Sequence, residues 1–346
     1  MIAELSPPVQ SPPPAMQLMQ MLFGFAVSRA MGVAAELGIA DALKDGPKTA
    51  DALAAETGVH ARSLYRVLRA CASVGVFAED EEKRFHLTPL AEPLRSDVPG
   101  SLRSFVTMMT TDWQYEVWAH LPYSVRTGLP AFDKVHGMSS FEYFWSNEKA
   151  GREFNDAMTS NSAFTSAAVV EAYDFADTQK LVDVGGGHGL LLASILQQYP
   201  HMHGVLLEMP AIVDAARPLL ESYGVAERCE RVAGNFFEGV PAGGDTYIMK
   251  HIIHDWNDEQ CVAILQHCRN GMTANGKVLV VEMVLPEGNE PSLGKFLDLQ
   301  MLLFLPGCER TEAEYRQLFD RAGLELTRII PTKSPFSIVE GISKTT

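Results

Sequence analysis

Leu181-Val182-Asp183-Val184-Gly185-Gly186-Gly187-His188-Gly189-Leu190-Leu191 runs from an apolar strand through a glycine turn into a helix. Such a turn lets backbone amides and a helix N-terminus approach a nucleotide-like ligand closely. A dinucleotide fingerprint would place glycines at 185, 187 and 190, but position 190 is Leu. The chain offers instead Asp183-x-Gly185-x-Gly187-x-Gly189. A second strand-like run, His203 to Glu208, ends in a carboxylate at the distance where a ribose diol needs a two-oxygen acceptor.

This glycine spacing is that of S-adenosylmethionine sites, and Glu208 strengthens the reading over a purely structural turn. Downstream, strand-like runs at 180–186, 203–208, 229–234, 244–251, 276–285, 324–331 and 334–342 alternate with helical runs at 188–199, 211–223, 258–273 and 311–322. Asn257-x-x-Gln260 and Thr311-x-x-Glu314 have capping-box spacing and fix two helix starts. The order predicts an α/β fold, an open and mostly parallel sheet covered on both faces and finished by an antiparallel hairpin. Ligands of such sheets sit at the C-terminal ends of the strands.

Reactive side chains fall at those ends. The strand from Thr246 leads through Lys250 and His251 to His254, Asp255 and Trp256; the strand Val278–Val281 ends in Glu282; Glu309 lies two residues before the Thr311 cap. An imidazole beside a carboxylate is oriented and kept basic, as a general base for a hydroxyl proton must be. His251 is a rival for that role. Taken singly, each residue has a plainer reading: His254 as a satisfied core histidine, Glu282 or Glu309 as a partner of Arg310 or Lys295. Asp255 and Asp258 do not form a metal cluster with firm spacing, so no metal is expected; Asp258 suits the first turn of a helix.

The upstream half reads differently. Residues 1–14, with Pro7, Pro8, Pro12, Pro13 and Pro14, predict a disordered lead-in. The stretch Met16–Leu37 is apolar but interrupted by Gln17, Gln20, Arg29 and Glu36, so its uncharged core is expected to be too short for a bilayer. Its Met16, Met19, Met21, Phe23, Phe25 and Met31 suit an oligomer interface. Thr49–Gly58 and Ser63–Ala70, followed by short strands at Val76-Phe77 and Phe85–Leu87, predict a winged helix over 15–100. Arg62, Arg66 and Arg69 could face DNA, which leaves a ligand-sensing DNA-binding regulator as the alternative. Against it, Lys48, Arg62, Arg66, Arg69, Lys83, Arg84 and Arg95 are outnumbered by Asp51, Glu56, Glu79, Asp80, Glu81, Glu82, Glu92 and Asp97. Residues 101–175 predict an aromatic-rich helical connector in which Phe154 and Met158, one turn apart, line a pocket for an apolar substrate.

Composition agrees. A net charge of −15 disfavours nucleic acid and anionic membranes as partners. The cysteines 71, 229, 261, 268 and 308 lack any Cys-x-x-Cys spacing, as in a reduced protein, and no targeting segment stands out, so a cytoplasmic location is expected.

The quoted stretches Leu181–Gly189, Gly234–Phe237, Met249–Trp256, Gly276–Glu282 and Glu309–Thr311 together resemble the caffeate- and isoflavone-type O-methyltransferases of plants and their bacterial relatives. The resemblance implies a winged-helix dimerisation domain ahead of a Rossmann-like catalytic domain over 176–346, and a homodimer. It implies that Gly185 and Gly187 lie against S-adenosylmethionine, Glu208 holds its ribose, Asn235 and Phe236 meet the adenine, and Lys250 and Ser162 border the site. His254 then resembles the catalytic base, flanked by Glu282 and Glu309, with Asp255 and Met301 beside Phe154 and Met158 on the acceptor side. Glu208 and Asn235 stand where Asp is usual. The acceptor implied is a small aromatic or polyketide-like molecule with a phenolic hydroxyl; a methyltransferase-fold enzyme acting on nitrogen is the other alternative.

Overall fold

A computed structural model describes residues 12–344. The proline-rich lead-in lies outside the described residues up to position 11, and Pro14 already opens a helix, where its missing N–H costs nothing. Contacts divide the chain into two units, Met1–Thr111 and Asp112–Thr346. The aromatic-rich helices from Asp112 on therefore belong with the sheet that follows them.

In the first unit, helices Pro14–Leu22 and Gly24–Glu36 precede helices Ala50–Thr57 and Ala61–Ser73 and a three-stranded antiparallel sheet of Lys48–Thr49, Arg84–Leu87 and Phe77–Glu79. Thr49 caps the third of these helices by accepting from Ala52 N. Leu53, Leu64, Leu68, Phe77 and Phe85 close a core of their own. Pro14–Glu36 is long and apolar enough to cross a membrane by length and composition, with a mean hydropathy of 1.4, although Arg29 interrupts its uncharged run after Ser28. Met16, Leu18, Met19, Met21, Leu22 and Phe23 are exposed.

The second unit is built on seven strands: β1 (Lys180–Val184), β2 (His203–Glu208), β3 (Cys229–Ala233), β4 (Gly244–Lys250), β5 (Met272–Glu282), β6 (Leu324–Pro331) and β7 (Ser337–Ser343). Their order in the sheet is β6-β7-β5-β4-β1-β2-β3. Strands β1 to β5 pair in parallel, and β7 inserts antiparallel between β5 and β6, giving the expected closing hairpin. Successive residues point to opposite faces. Leu181, Leu206, Ile248 and Leu279 therefore meet the helix Leu190–Gln198, while Val182, Val205, Tyr247 and Val280 meet Asp258–Gly271 and Glu312–Arg321.

Three helices differ from the sequence reading. The run at 211–223 breaks into Pro210–Ala215 and Arg217–Ser222, because Pro218 removes an amide donor. The helix after the glycine turn starts at Leu190, since Gly187 and Gly189 adopt left-handed φ of 57° and 80°. Helix Gly294–Phe304, which periodicity did not single out, carries Met301 between β5 and Glu309. Both expected capping boxes form, and Ser139 with Glu142 makes a third.

Candidate active site

Strand order reverses between β1 and β4, and β2 and β3 lie on the far side of β1. A crevice opens at the C-terminal ends of strands where such a reversal occurs. On the β1 side, Gly185 and Gly187 hold φ of 68° and 57°, which an L side chain rarely adopts. Glu208 at the end of β2 braces this turn: its Oε2 accepts from Gly187 N at 2.9 Å and its Oε1 from Met209 N at 2.7 Å. A Cβ on Gly187 would meet open space, whereas one on Gly185 would strike Ile252 and crowd Phe236. The turn is thus a cradle with Glu208 on one side and Phe236 on the other.

Further groups complete that end. Asn235 turns its Oδ1 back to accept from Phe237 N at 3.0 Å, so one of its carbonyl lone pairs serves the loop itself. Phe236 and Phe237 pack against Trp256, with ring centroids 6.1 and 4.8 Å away. Beneath the glycines, burial lifts the Asp183 carboxyl to about 7 against the pull of Lys250. Its Oδ2 has no partner among the described residues. Burial also brings the Lys250 ammonium down to about 8, with Asp183 opposing. Ser162 is buried on the long helix Glu148–Ala172, which also carries Phe154 and Met158. Phe154 stacks on Phe144 at 4.5 Å.

On the β4 side the chain turns sharply. His254 is buried, and its Nδ1 lies 2.6 Å from Glu309 Oε1. A proton on Nδ1 facing that carboxylate leaves Nε2 as the outward nitrogen, 3.4 Å from Asp255 Oδ1. Glu309 is held in turn by Asp298, whose Oδ1 accepts from Glu309 N at 2.9 Å. Burial opposes charge on His254, but Asp255, Glu309 and Glu282 together outweigh it and raise the imidazole to about 10. Burial lifts Asp255 to about 7 despite His254, and it raises Glu309 above the usual carboxylate range.

Glu282 works elsewhere in the same turn. Its Oε1 accepts from the backbone N–H groups of Ile252 and His254, both at 3.1 Å, and its Oε2 accepts from the Tyr315 hydroxyl at 2.5 Å. The fully buried carboxylate therefore fixes the backbone that carries His254, while Glu309 fixes the ring. Neither acid pairs with Lys295, which donates to the carbonyls of Gly288 and Glu290. His251 has a left-handed φ of 58° and packs its ring on Phe336 at 4.4 Å. Burial, Lys250 and His254 hold it well below the usual histidine range, and among the described residues its Nε2 has no partner to orient it.

Three positions that matter here carried no clear signal in the sequence. Gly307 passes so close to the turn that a Cβ would collide with the His254 carbonyl oxygen and the Asp255–Trp256 peptide. Tyr315 anchors Glu282 from the capped helix. Cys261 donates its thiol to the carbonyls of Ile253 and Trp256 at 3.1 and 3.3 Å. Loop glycines and helix tyrosines have many uses, and only the fold brings these three to one turn.

The sheet thus carries a glycine cradle at its reversal point and a histidine turn beside it. Residues 118–325 match the family model of the O-methyltransferase domain, and residues 19–97 match the O-methyltransferase dimerisation domain. The chain is 46% identical over 323 residues to phenazine O-methyltransferase PhzM of Lysobacter antibioticus, covering 93% of this chain and 94% of that one. The solved structure of LaPhzM superposes with a TM-score of 0.90 at 45% identity, over 96% of this chain and 100% of that one. The SAH-bound structure of CalO1, a methyltransferase in calicheamicin biosynthesis, gives 0.87 at 37% identity, over 95% and 98% of the two chains. The chain belongs to the S-adenosylmethionine-dependent O-methyltransferases that carry an N-terminal dimerisation domain.

Proposed function

We propose that this enzyme methylates a phenolic hydroxyl of a small, flat aromatic or polyketide-like metabolite, with His254 as general base. The observation that carries the reading is the 2.6 Å contact from Nδ1 to Glu309, which commits one ring nitrogen and leaves Nε2 to take a proton. A phenol with a pKa near 10 is mostly protonated at neutral pH, so base assistance is worth about 10²- to 10⁴-fold. S-adenosylmethionine supplies an already activated methyl group. Gly185, Gly187, Glu208, Asn235, Phe236, Lys250 and Ser162 hold it, the carboxylate of Glu208 taking the ribose diol and the Phe236 ring the adenine.

Phe154, Met158 and Met301 form the apolar side of the acceptor pocket, and Asp255 orients its hydroxyl. The phenazine acceptor in the name of the Lysobacter relative supports a planar, fused-ring molecule. An imidazole raised to about 10 is protonated in the free protein, so His254 acts only after the cluster of His254, Asp255 and Glu309 has released a proton. Removal of the proton by an imidazole makes the reading metal-independent. The exposed methionines of Pro14–Leu22 give a face on which two copies pair, making a cytoplasmic homodimer.

The test incubates the enzyme and S-adenosylmethionine with hydroxyphenazines, hydroxynaphthoates and simple phenols, with and without EDTA, and reads mass spectra for a gain of one methylene. The expected result is an O-methylated fused-ring product that EDTA does not diminish. Methylation confined to amines, or abolished by EDTA, contradicts it.

A further inference from the structure

We infer that Arg310 is a positioning residue that sets the direction of the His254 imidazole, an inference that rests on the reading of His254 as the base. Arg310 is the largest fully buried side chain among the described residues. Its Nη1 donates to the carbonyls of Ile253 and Cys308, both at 3.1 Å, and its Nη2 donates to the Trp256 carbonyl at 3.0 Å. Asp258 Oδ1 closes the outer edge, 2.9 Å from Nη2 and 3.3 Å from Nε. One planar fork thus grips both ends of the 253–256 turn and the loop that delivers Glu309.

The chemistry of the residue matters. A guanidinium does not deprotonate in a protein and presents its donors in a fixed plane, so its geometry does not drift with pH. The adjacent Arg310 and Glu309 act on the two sides of the same turn: Glu309 holds the ring of His254, and Arg310 holds the carbonyls on either side of it. The backbone pairing of Arg310 with Val284 ties this clamp to the strand that follows Glu282. Asp258, exposed at the helix start, is the only one of these partners that can be altered without touching the turn.

The test compares Arg310→Lys, Arg310→Met and Asp258→Asn in the full-length enzyme. It measures kcat with the acceptor found in the screen, cofactor affinity by calorimetry, and titration of His254 by NMR of 13C-histidine, assigned with His254→Gln. Ring titration is read against Asp255 and Glu309 at the ring, Glu282 at its backbone and the neighbouring His251 ring. A displaced catalytic group costs about a hundredfold in rate. Arg310→Met is expected to lose about that much kcat, with cofactor affinity within about threefold and the His254 titration moved. Should it fail to fold, Arg310→Lys, which keeps the charge but not the fork, is expected to lose about tenfold with the same displaced titration. Asp258→Asn should shift both readouts in the same direction by less.

A folded Arg310 variant with wild-type kcat and wild-type His254 titration overturns the inference. If His254→Gln stays active while Arg310→Lys still moves the titration, the base assignment fails and the clamp stands. If His254→Gln is inactive and Arg310→Lys changes neither readout, the clamp fails and the base assignment stands.

Discussion

Gly307 and His254 meet backbone to backbone: any side chain at 307 would collide with the carbonyl oxygen of 254. Gly307→Ala is therefore expected to push the turn away from Glu309. The cost should be about 1–3 kcal/mol of stability, the range for an overpacked site, together with at least a tenfold loss of kcat. Thermal melting and initial rates check it; an alanine variant with unchanged rate would mean that the turn relaxes without moving the imidazole.

Glu309 and Glu282 are expected to fail differently when neutralised. Glu309→Gln removes a carboxylate that raises His254, so the rate profile should move to lower pH while its plateau falls. Glu282→Gln removes the charge from hydrogen bonds to Ile252 N, His254 N and Tyr315, which should lower stability by about 1.5–3 kcal/mol and move the profile in the same direction by less, since Glu282 is the weakest of the three carboxylates that raise His254. Identical profiles and identical melting losses in the two variants would contradict this division.

How much of this was legible beforehand follows from which forces are local. The parallel strands, the glycine turn and the capped helix starts at Asn257 and Thr311 are set by short continuous apolar runs and short-range hydrogen bonds, and all appear in the structure. Helix Gly294–Phe304 was not legible, because it is apolar on most sides and buries Met301, Leu303 and Phe304, leaving no amphipathic contrast to read. The break at Pro218 could have been read from the residue itself. His254, Glu282 and Glu309 were found from their places at strand ends, but the distinction between an acid that holds the ring and one that holds the backbone depends on three segments converging in space.

The pH dependence has a fixed sign. His254 is raised to about 10 and Asp255 to about 7, so lowering the pH adds protons to the base cluster and raising it removes them. kcat/KM for the acceptor should rise between about pH 7 and 10, as two macroscopic steps shared by the cluster. By linkage, the stability that His254 contributes is complete below its ordinary 6.5 and is lost as pH climbs through about 10. A rate that falls over that interval while the protein stays folded would reverse the assignment of acid and base.

Glu208→Ala separates cofactor binding from chemistry. Loss of a carboxylate that braces Gly187 and that we assign to the ribose diol should weaken S-adenosylmethionine binding by about 1.5–3 kcal/mol, with kcat at saturating cofactor largely kept. Calorimetry without acceptor measures the first, and undiminished affinity would remove Glu208 from the site.

The N-terminal helix offers an independent check on assembly. Met19 and Met21 are exposed, at 51% and 75%, on an apolar helix. Met19→Glu with Met21→Glu should convert a dimer to a monomer in sedimentation velocity, since two charges at such a face have no partner. An unchanged dimer would place the interface elsewhere.

The proposed reaction turns on a proton moving to Nε2 of His254. The most direct measurement is single-turnover methylation by His254→Gln, with cofactor affinity measured in the same preparation. Cofactor binding is expected within about threefold of wild type, with a rate lower by about 10²- to 10⁴-fold that no longer rises with pH. A variant that binds the cofactor and methylates the acceptor at close to the wild-type rate, with the same pH profile, would contradict it.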